Sequence, residues 1–345
     1  MGTGRFTERN AEGVEPSAKA AFASLGYKWQ TRRLRHVAWR ALESYDVTPT
    51  DLVLLGHVGT TIFRVVAGDA RYVLRIHPES DAGEQAREVA AVRSEMEWLA
   101  ALCRETDLVV PRPVPSRDGP LVTLADAAGV PGPRPCVLLR WVEGRFIDEG
   151  LTPRHLERVG GLTARLHRHA MSFRPAAGFT RGRIAEVTPD YAAHAAKAIN
   201  AALGPEHVGA VHSAIVEVQH AQHALGERPE DFGLIHADLH QANYLFHRRE
   251  ARAIDFADCG WGHFAYDLAV TLSRLQQKPH YHALRDALLR GYRSERPFPA
   301  DHEAQVEAYL RFRLVEIALW RVEGRHRPGF THWEREARAF LNGLA

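Results

Sequence analysis

The chain has 345 residues, is 45% hydrophobic and 25% charged, and carries a formal net charge of +2. That length suits two lobes better than one small core, and the near-neutral balance argues against a protein held to nucleic acid or an anionic membrane by bulk charge. Cys103, Cys136 and Cys259 lie far apart with no CxxC pair, which suits a reducing cytosol and disfavours a disulfide scaffold or a zinc ribbon.

The opening MGTGRFTERN lacks the apolar stretch of a signal peptide, and Phe6 breaks the myristoylation pattern. No run of about 18 apolar residues offers a membrane span. Residues 1–30 are polar and broken by Gly and Pro, and read as a loose arm with some helix near Ser17–Leu25. A short helix is expected over Arg32–Tyr45. Three β-rich runs follow, Leu52–Leu55, Thr61–Val66 and Arg71–Ile76, punctuated by Gly56, Gly59 and the Gly68-Asp69 turn. They predict three antiparallel strands joined by short hairpins. Val89, Val92, Met96, Leu99 and Leu102 recur at spacings of three and four and predict a helix over Glu84–Arg104.

Pro111, Pro113 and Pro115 then impose an extended path. Two more strands are expected at Leu121–Leu124 and Cys136–Val142, and a hinge at Arg140–Gly144. Beyond it the pattern turns helical. Thr152-Pro153 reads as an N-cap with a first-turn proline, and Leu156, Val159, Leu162 and Leu166 form the buried stripe. Further helices are expected on both sides of Gly204-Pro205, and near Asp267–Leu275, His282–Tyr292 and Ala304–Val322. The domain reading is a loose arm (1–30), an N-lobe (31–140) and a C-lobe (141–345).

The chemistry concentrates in His236-Ala-Asp238-Leu-His240-Gln-Ala-Asn243 and Ala253-Ile-Asp255-Phe256. Phosphoryl transfer needs a carboxylate to orient and accept the proton of the attacking hydroxyl, and oxygen ligands to hold Mg²⁺ against a triphosphate. Asp238 suits the first task, Asn243 and Asp255 the second. Leu245-Phe246 and Ala253-Ile254 flank His247–Arg252 as a hairpin, which returns Asp255 to the side of Asn243.

These paired motifs, with Tyr266-Asp267-Leu-Ala, resemble the catalytic core of the aminoglycoside phosphotransferase and choline kinase-like family, relatives of protein kinases. The resemblance covers about Asp51–Val322. It implies an α+β, bilobal protein-kinase-like fold: an N-lobe of antiparallel sheet plus one helix, and a mainly helical C-lobe. It makes Asp238 the counterpart of the catalytic loop Asp, Asn243 and Asp255 the counterparts of the metal-binding Asn and the DFG Asp, and His236 and Phe256 structural parts of that core. Asp267 matches a buried Asp that holds the loop by hydrogen bonds, and Asp258 an acidic residue found shortly after the DFG-like Asp.

On the nucleotide side, Gly56-His-Val-Gly59 lies between two strands where backbone N–H groups would cover phosphates, or simply makes a hairpin. A kinase places Lys on the third strand. Here Arg75 stands there, and no lysine occurs between Lys28 and Lys197. A guanidinium pairs phosphate oxygens with a different geometry from an ammonium. Its expected partner is Glu95, with Glu88 competing. The backbone at Leu138–Trp141, including Leu139 and Trp141, is expected to meet the adenine. The implied cofactors are ATP, with GTP the alternative, and Mg²⁺.

Two other readings stay open. His236, Asp238 and His240, with His263, alternate like the ligands of a metal-dependent hydrolase. The arginine at position 75 is also consistent with a non-catalytic kinase-like nucleotide-binding protein. A P-loop kinase is excluded, since no GxxxxGK[ST] occurs. The expected partner is a small molecule bearing a hydroxyl, with no nucleic acid and no membrane. An amino alcohol, homoserine or a sugar is favoured over an aminoglycoside; a protein serine or threonine is a further alternative. A polycation would require carboxylates to converge, and Glu186, Asp190, Glu303, Glu307 and Glu316 are the candidates.

Overall fold

The computed structural model describes residues 18–79, 82–327 and 330–344. Most of the arm expected at 1–30 therefore lies outside the described residues. Its last part is helical: α1 (Ala18–Ala23) is followed by α2 (Tyr27–Leu42). Helix α2 begins five residues before the expected Arg32, with Gly26 at its N-cap, and Thr31, Leu34, Val37, Ala38, Ala41 and Leu42 form its buried stripe. Arg32, Arg33 and Arg35 interleave with that stripe and hide it in the sequence.

Two compact units emerge. The first comprises the described residues within 1–81 and 115–137, the second those within 82–114 and 138–345. In the first, β1 (Asp51–Val58), β2 (Thr60–Ala67) and β3 (Ala70–Ile76) form the expected antiparallel meander. Val58 faces Thr60 across a turn at Gly59, whose φ of +72° suits glycine. The chain then passes through α3 (Ala82–Glu105) and β4 (Pro113–Val114), both in the second unit. It returns with β5 (Thr123–Ala125), which pairs with the start of β6 (Arg134–Arg140). Helix α2 covers this sheet, and Leu34, Val37, Ala41, Phe63, Val65 and Leu74 make a fully buried core.

Strand β6 carries the chain into the second unit, where Leu138 and Leu139 pair with Val114 and Pro113. Helix α3 belongs with this unit, on the other side of the boundary drawn at residue 140. Its bonds explain why. The backbone N–H of Thr180 donates to Ser94 Oγ at 2.8 Å, that of Ala176 to Glu97 Oε1 at 2.7 Å, and Trp98 Nε1 to His169 Nδ1 at 3.3 Å.

The rest is mainly helical: α4 (Pro153–Ser172), α5 (Pro189–Leu203), α6 (Val208–Leu225), then four short strands, β7 (Phe232–Ile235), β8 (Tyr244–His247), β9 (Glu250–Ala253) and β10 (Gly260–His263). They are followed by α7 (Phe264–Ser273), α8 (Tyr281–Glu295), α9 (His302–Glu323) and α10 (Trp333–Asn342). Strands β7 and β10 pair antiparallel, as do β8 and β9. Thr152 caps α4 in a box with His155, and Leu156, Val159, Leu162 and Leu166 are buried as their spacing predicts. None of the described helices is long and apolar enough to cross a membrane.

Helices α4 and α8 cross at Gly160 and Gly291. A Cβ at Gly160 would run into the Leu288 backbone, and one at Gly291 into that of Glu157. Glycine at both positions lets the two backbones touch, which brings Tyr292 of α8 against His167 of α4.

Candidate active site

The site is built on a floor. Beyond β7 the chain turns through Ala237, in the left-handed region at φ +67°, and runs as a loop to Asn243. A backbone bent this way exposes amide groups that need partners. Asp267, fully buried near the start of α7, supplies them: Oδ2 accepts from the His236 N–H at 2.9 Å and Oδ1 from the Ala237 N–H at 2.7 Å. His167 lies 3.0 Å from Oδ2 through Nε2 and 2.8 Å from the Tyr292 hydroxyl through Nδ1. Arg296 Nη1 donates to that hydroxyl at 2.6 Å.

The donors fix the order. Arg296 donates to Tyr292, Tyr292 to His167, and His167 to Asp267, so His167 is the neutral tautomer protonated on Nε2. Burial holds the His167 pKa down against the pull of Asp267. Burial pushes the Asp267 carboxyl up, but the bonds from His167 and the loop amide outweigh it and leave its pKa below the ordinary value.

Asp238 stands on this floor with its side chain 20% exposed. Asn243 Nδ2 donates to its Oδ2 and to its backbone carbonyl, both at 2.8 Å. His240 Nε2 lies 3.3 Å from Oδ2, and Arg313 Nη2 donates to Oδ1 at 2.7 Å. Burial raises the Asp238 pKa; His240, Arg313 and His236 overcome that and keep it below the ordinary value.

The β8–β9 hairpin turns at Arg248-Arg249, with Tyr244 opposite Ala253. The Ile254 N–H then donates to the Asn243 carbonyl at 2.9 Å, and the Ile254 carbonyl meets His236 Nε2 at 3.0 Å. These two bonds hold Ile254, the residue before Asp255, against Asn243 and His236. Asp255 lies just past the strand and not within it, at φ +61°, an unusual conformation for a non-glycine residue. Phe256 is fully buried against His236, ring centroids 4.5 Å apart, and meets Trp98 edge-on at 5.5 Å.

The donor set suits a hard cation. Asp258 stands exposed on the turn after Phe256, yet its pKa is raised, first by the surrounding protein and then by the negative charges of Asp238 and Asp255. A divalent cation near Asn243 and Asp255 would relieve that repulsion. Magnesium needs only one or two protein carboxylates beside phosphate and water oxygens. Among the described residues, no three His, Cys, Asp or Glu side chains form a metal-holding group.

The histidines of the hydrolase reading are engaged within the protein. His236 contacts the Ile254 carbonyl and the Asp238 N–H; His240 contacts the Ala242 N–H and Asp238; His263 contacts the Gly226 carbonyl and the Tyr309 hydroxyl. Both ring nitrogens of each are taken, so none is presented as a ligand.

The remaining expected residues divide between the units. Gly56 and Gly59 lie at the β1–β2 hairpin with open space around both Cα atoms, and between them His57 bonds Thr61 and Gln30 of α2. Arg75 lies on β3 opposite Ile62 and is buried. In the second unit Glu95 is buried on α3, whereas Glu88 is half-exposed. Leu139 is buried in β6, and Trp141 follows the strand half-exposed.

The model of the family described as "Phosphotransferase enzyme family" matches residues 53–314. The chain belongs to that family. It is a small-molecule phosphotransferase, a kinase with a hydroxyl acceptor. A microcompartment-associated aminopropanol kinase is similar in structure, with a TM-score of 0.75 and 29% identity over 90% of this chain and 95% of its own. An amicoumacin kinase, solved with AMP-PNP, Ca²⁺ and Ami, matches with a TM-score of 0.74 and 20% identity, covering 92% and 96% of the two chains. A spectinomycin phosphotransferase, solved with ADP and its antibiotic, matches at 0.62 and 11% identity, covering 90% and 93%. The last two likenesses establish the fold alone. No curated protein sequence matches the chain.

What sequence reasoning missed in this phosphotransferase is the wall beside Asp238. Arg313 comes from α9, and its Nη1 donates to the Tyr266 hydroxyl at 2.9 Å and lies 3.5 Å from Glu316 Oε2. Tyr266 donates to the same Glu316 oxygen at 2.7 Å. The available signal was an arginine set among the buried residues Phe312, Leu314 and Val315. Four of the five carboxylates weighed for a polycation are bound to arginines: Glu186 to Arg183, Glu303 to Arg285 and Arg293, Glu307 to Arg285, and Glu316 to Arg313.

Proposed function

We propose that this phosphotransferase moves the γ-phosphoryl group of ATP, with GTP the alternative donor, to the hydroxyl of a small metabolite alcohol. The observation that carries the reading is the pair of bonds that join Asn243 to Asp238 and to the Ile254 N–H, one residue before Asp255. The acceptor oxygen attacks the γ-phosphorus in line. The bond to the β–γ bridging oxygen breaks, its electron pair leaves with the nucleoside diphosphate, and the hydroxyl proton passes to the Asp238 carboxylate. Asn243 and Asp255 would hold Mg²⁺, which when bound neutralises phosphate charge. Catalysis is then positioning plus electrostatics, with no covalent enzyme intermediate.

The assignments of Arg75 with Glu95, of Gly56 and Gly59, and of Leu139 and Trp141 to the nucleotide rest on the family resemblance. For the acceptor, an uncharged or singly charged alcohol is favoured over an aminoglycoside, because four of the five candidate carboxylates already have an arginine partner. Amino alcohols, homoserine and sugars remain the classes to test, and the aminopropanol kinase likeness supports the first. The wide spacing of Cys103, Cys136 and Cys259, with no CxxC pair, favours a cytoplasmic setting.

Asp238→Asn tests the mechanism. Transfer, followed as ADP release with a panel of alcohols, is expected to fall about 10²–10⁴-fold while nucleotide binding stays intact. Full activity in that variant would remove Asp238 from the role. Asp255→Ala should instead weaken the Mg²⁺ dependence of nucleotide binding.

A further inference from the structure

An ionised carboxylate offers about four lone-pair positions, two on each oxygen. On Asp238 three are engaged. Oδ2 takes Asn243 Nδ2 at 2.8 Å and faces His240 Nε2 at 3.3 Å, and Oδ1 takes Arg313 Nη2 at 2.7 Å. The position left for a hydroxyl is on Oδ1, the oxygen that Arg313 holds.

Arg313 is itself secured. Its Nη1 bonds the Tyr266 hydroxyl, its guanidinium carbon lies 5.9 Å from the centre of the Tyr266 ring, and Glu316 binds both partners. Tyr266 stands next to Asp267 on α7 and is fully buried. The element that holds the catalytic loop from below thus also holds the arginine that grips its carboxylate from the side. A side chain anchored through Tyr266 and Glu316 has little freedom to rotate away.

We propose that Arg313 is a positioning residue of the phosphotransfer reaction: it fixes the plane of the Asp238 carboxylate and directs the free lone pair of Oδ1 toward the acceptor hydroxyl. The inference rests on the phosphotransferase reading above and adds to it which oxygen of Asp238 takes the proton. Tyr266 and Glu316 act through Arg313. Lysine at position 313 would keep the charge but lose the fork that meets Asp238 and Tyr266 at once.

The test compares Arg313→Ala, Arg313→Lys, Tyr266→Phe and the wild type. With Mg²⁺, ATP and an alcohol panel of 1-aminopropan-2-ol, L-homoserine and glycerol, Arg313→Ala is expected to lower kcat about 10²-fold with the KM for ATP unchanged. Arg313→Lys should recover part of that loss, and guanidinium chloride added at millimolar concentration should partly restore Arg313→Ala. A merely structural role would leave the added guanidinium without effect.

Tyr266→Phe keeps the guanidinium and loosens its anchor, so an intermediate loss is expected, and it serves should the alanine variant fail to fold. Crystals of Arg313→Ala or Tyr266→Phe give a readout independent of turnover: Asp238 is expected to leave its single rotamer. An unchanged Asp238 rotamer in whichever variant folds, or wild-type kcat in both, overturns the proposal. If the wild type releases no ADP with any of these alcohols, the proposed small-alcohol acceptor fails, and the rotamer comparison still decides the role of Arg313.

Discussion

Two carboxylates mark the floor and the face of the same loop, and they are treated in opposite ways. Asp267 is fully buried and takes hydrogen bonds from two loop amides and a neutral imidazole. Asp238 also has three polar neighbours, yet its side chain stays 20% exposed and one lone pair of Oδ1 is left open. Both have depressed pKa values for the same kind of reason, donors and positive charge overcoming burial. A lowered carboxyl pKa therefore does not separate the group proposed as catalytic from the structural one. Access to the remaining lone pair does.

The comparison breaks most directly at Asp267. Removing it by Asp267→Ala leaves two backbone N–H groups and His167 unsatisfied in a fully buried place, and should cost about 3–5 kcal/mol of stability. Denaturant unfolding followed by circular dichroism measures the loss. Asp238→Asn, at the face, should unfold close to the wild type although transfer falls about 10²–10⁴-fold. If the two variants lost similar stability, the division between floor and face would be wrong.

A smaller effect is expected one layer deeper. Gly291→Ala places a methyl group against the Glu157 backbone where α4 and α8 touch. Overpacking of this kind costs about 1–3 kcal/mol. Because Tyr292 is the next residue, the strain should also lengthen its bond to His167, so kcat should fall together with the melting temperature. A lowered melting temperature with kcat unchanged would show that the floor tolerates movement of α8.

Much of this arrangement was legible in the sequence, and what was not shares a physical cause. The Asp238–Asn243 spacing, the β8–β9 hairpin, the β1–β3 meander and the capped helix α4 are local patterns, each set by residues within a turn or two of one another. Strands β7 and β10, four residues apiece, lack the length to show a period. Arg313 is 75 residues from Asp238, and Tyr292 is 125 from His167. Such partners meet only once helices have packed, and no spacing rule encodes them. His167 and His169 belong to no motif in the sequence. Only the structure shows the first joining α8 to the catalytic loop and the second joining Trp98 to Glu105.

The smallest expected effect concerns the protons of the floor. His167 has a folded pKa below its ordinary 6.5, because burial disfavours the imidazolium. Between those two values the unfolded chain binds a proton that the folded chain refuses. Stability is therefore complete above about 6.5 and declines as the pH falls toward the folded value, by at most about 1.4 kcal/mol per pH unit for one proton. Asp267, lowered from 3.8, adds a second loss only below that value. His167→Gln removes the first contribution and leaves the other depressed histidines, His57, His155, His169 and His263, in both proteins, where they cancel in the difference. The variant should be less stable at pH 7, since it cannot serve both Tyr292 and Asp267 equally well, and the gap to the wild type should narrow as the pH drops from 6.5. Parallel stability curves across that range would mean that His167 titrates alike in the folded and unfolded chains, and the neutral relay from Arg296 to Asp267 would have to be abandoned.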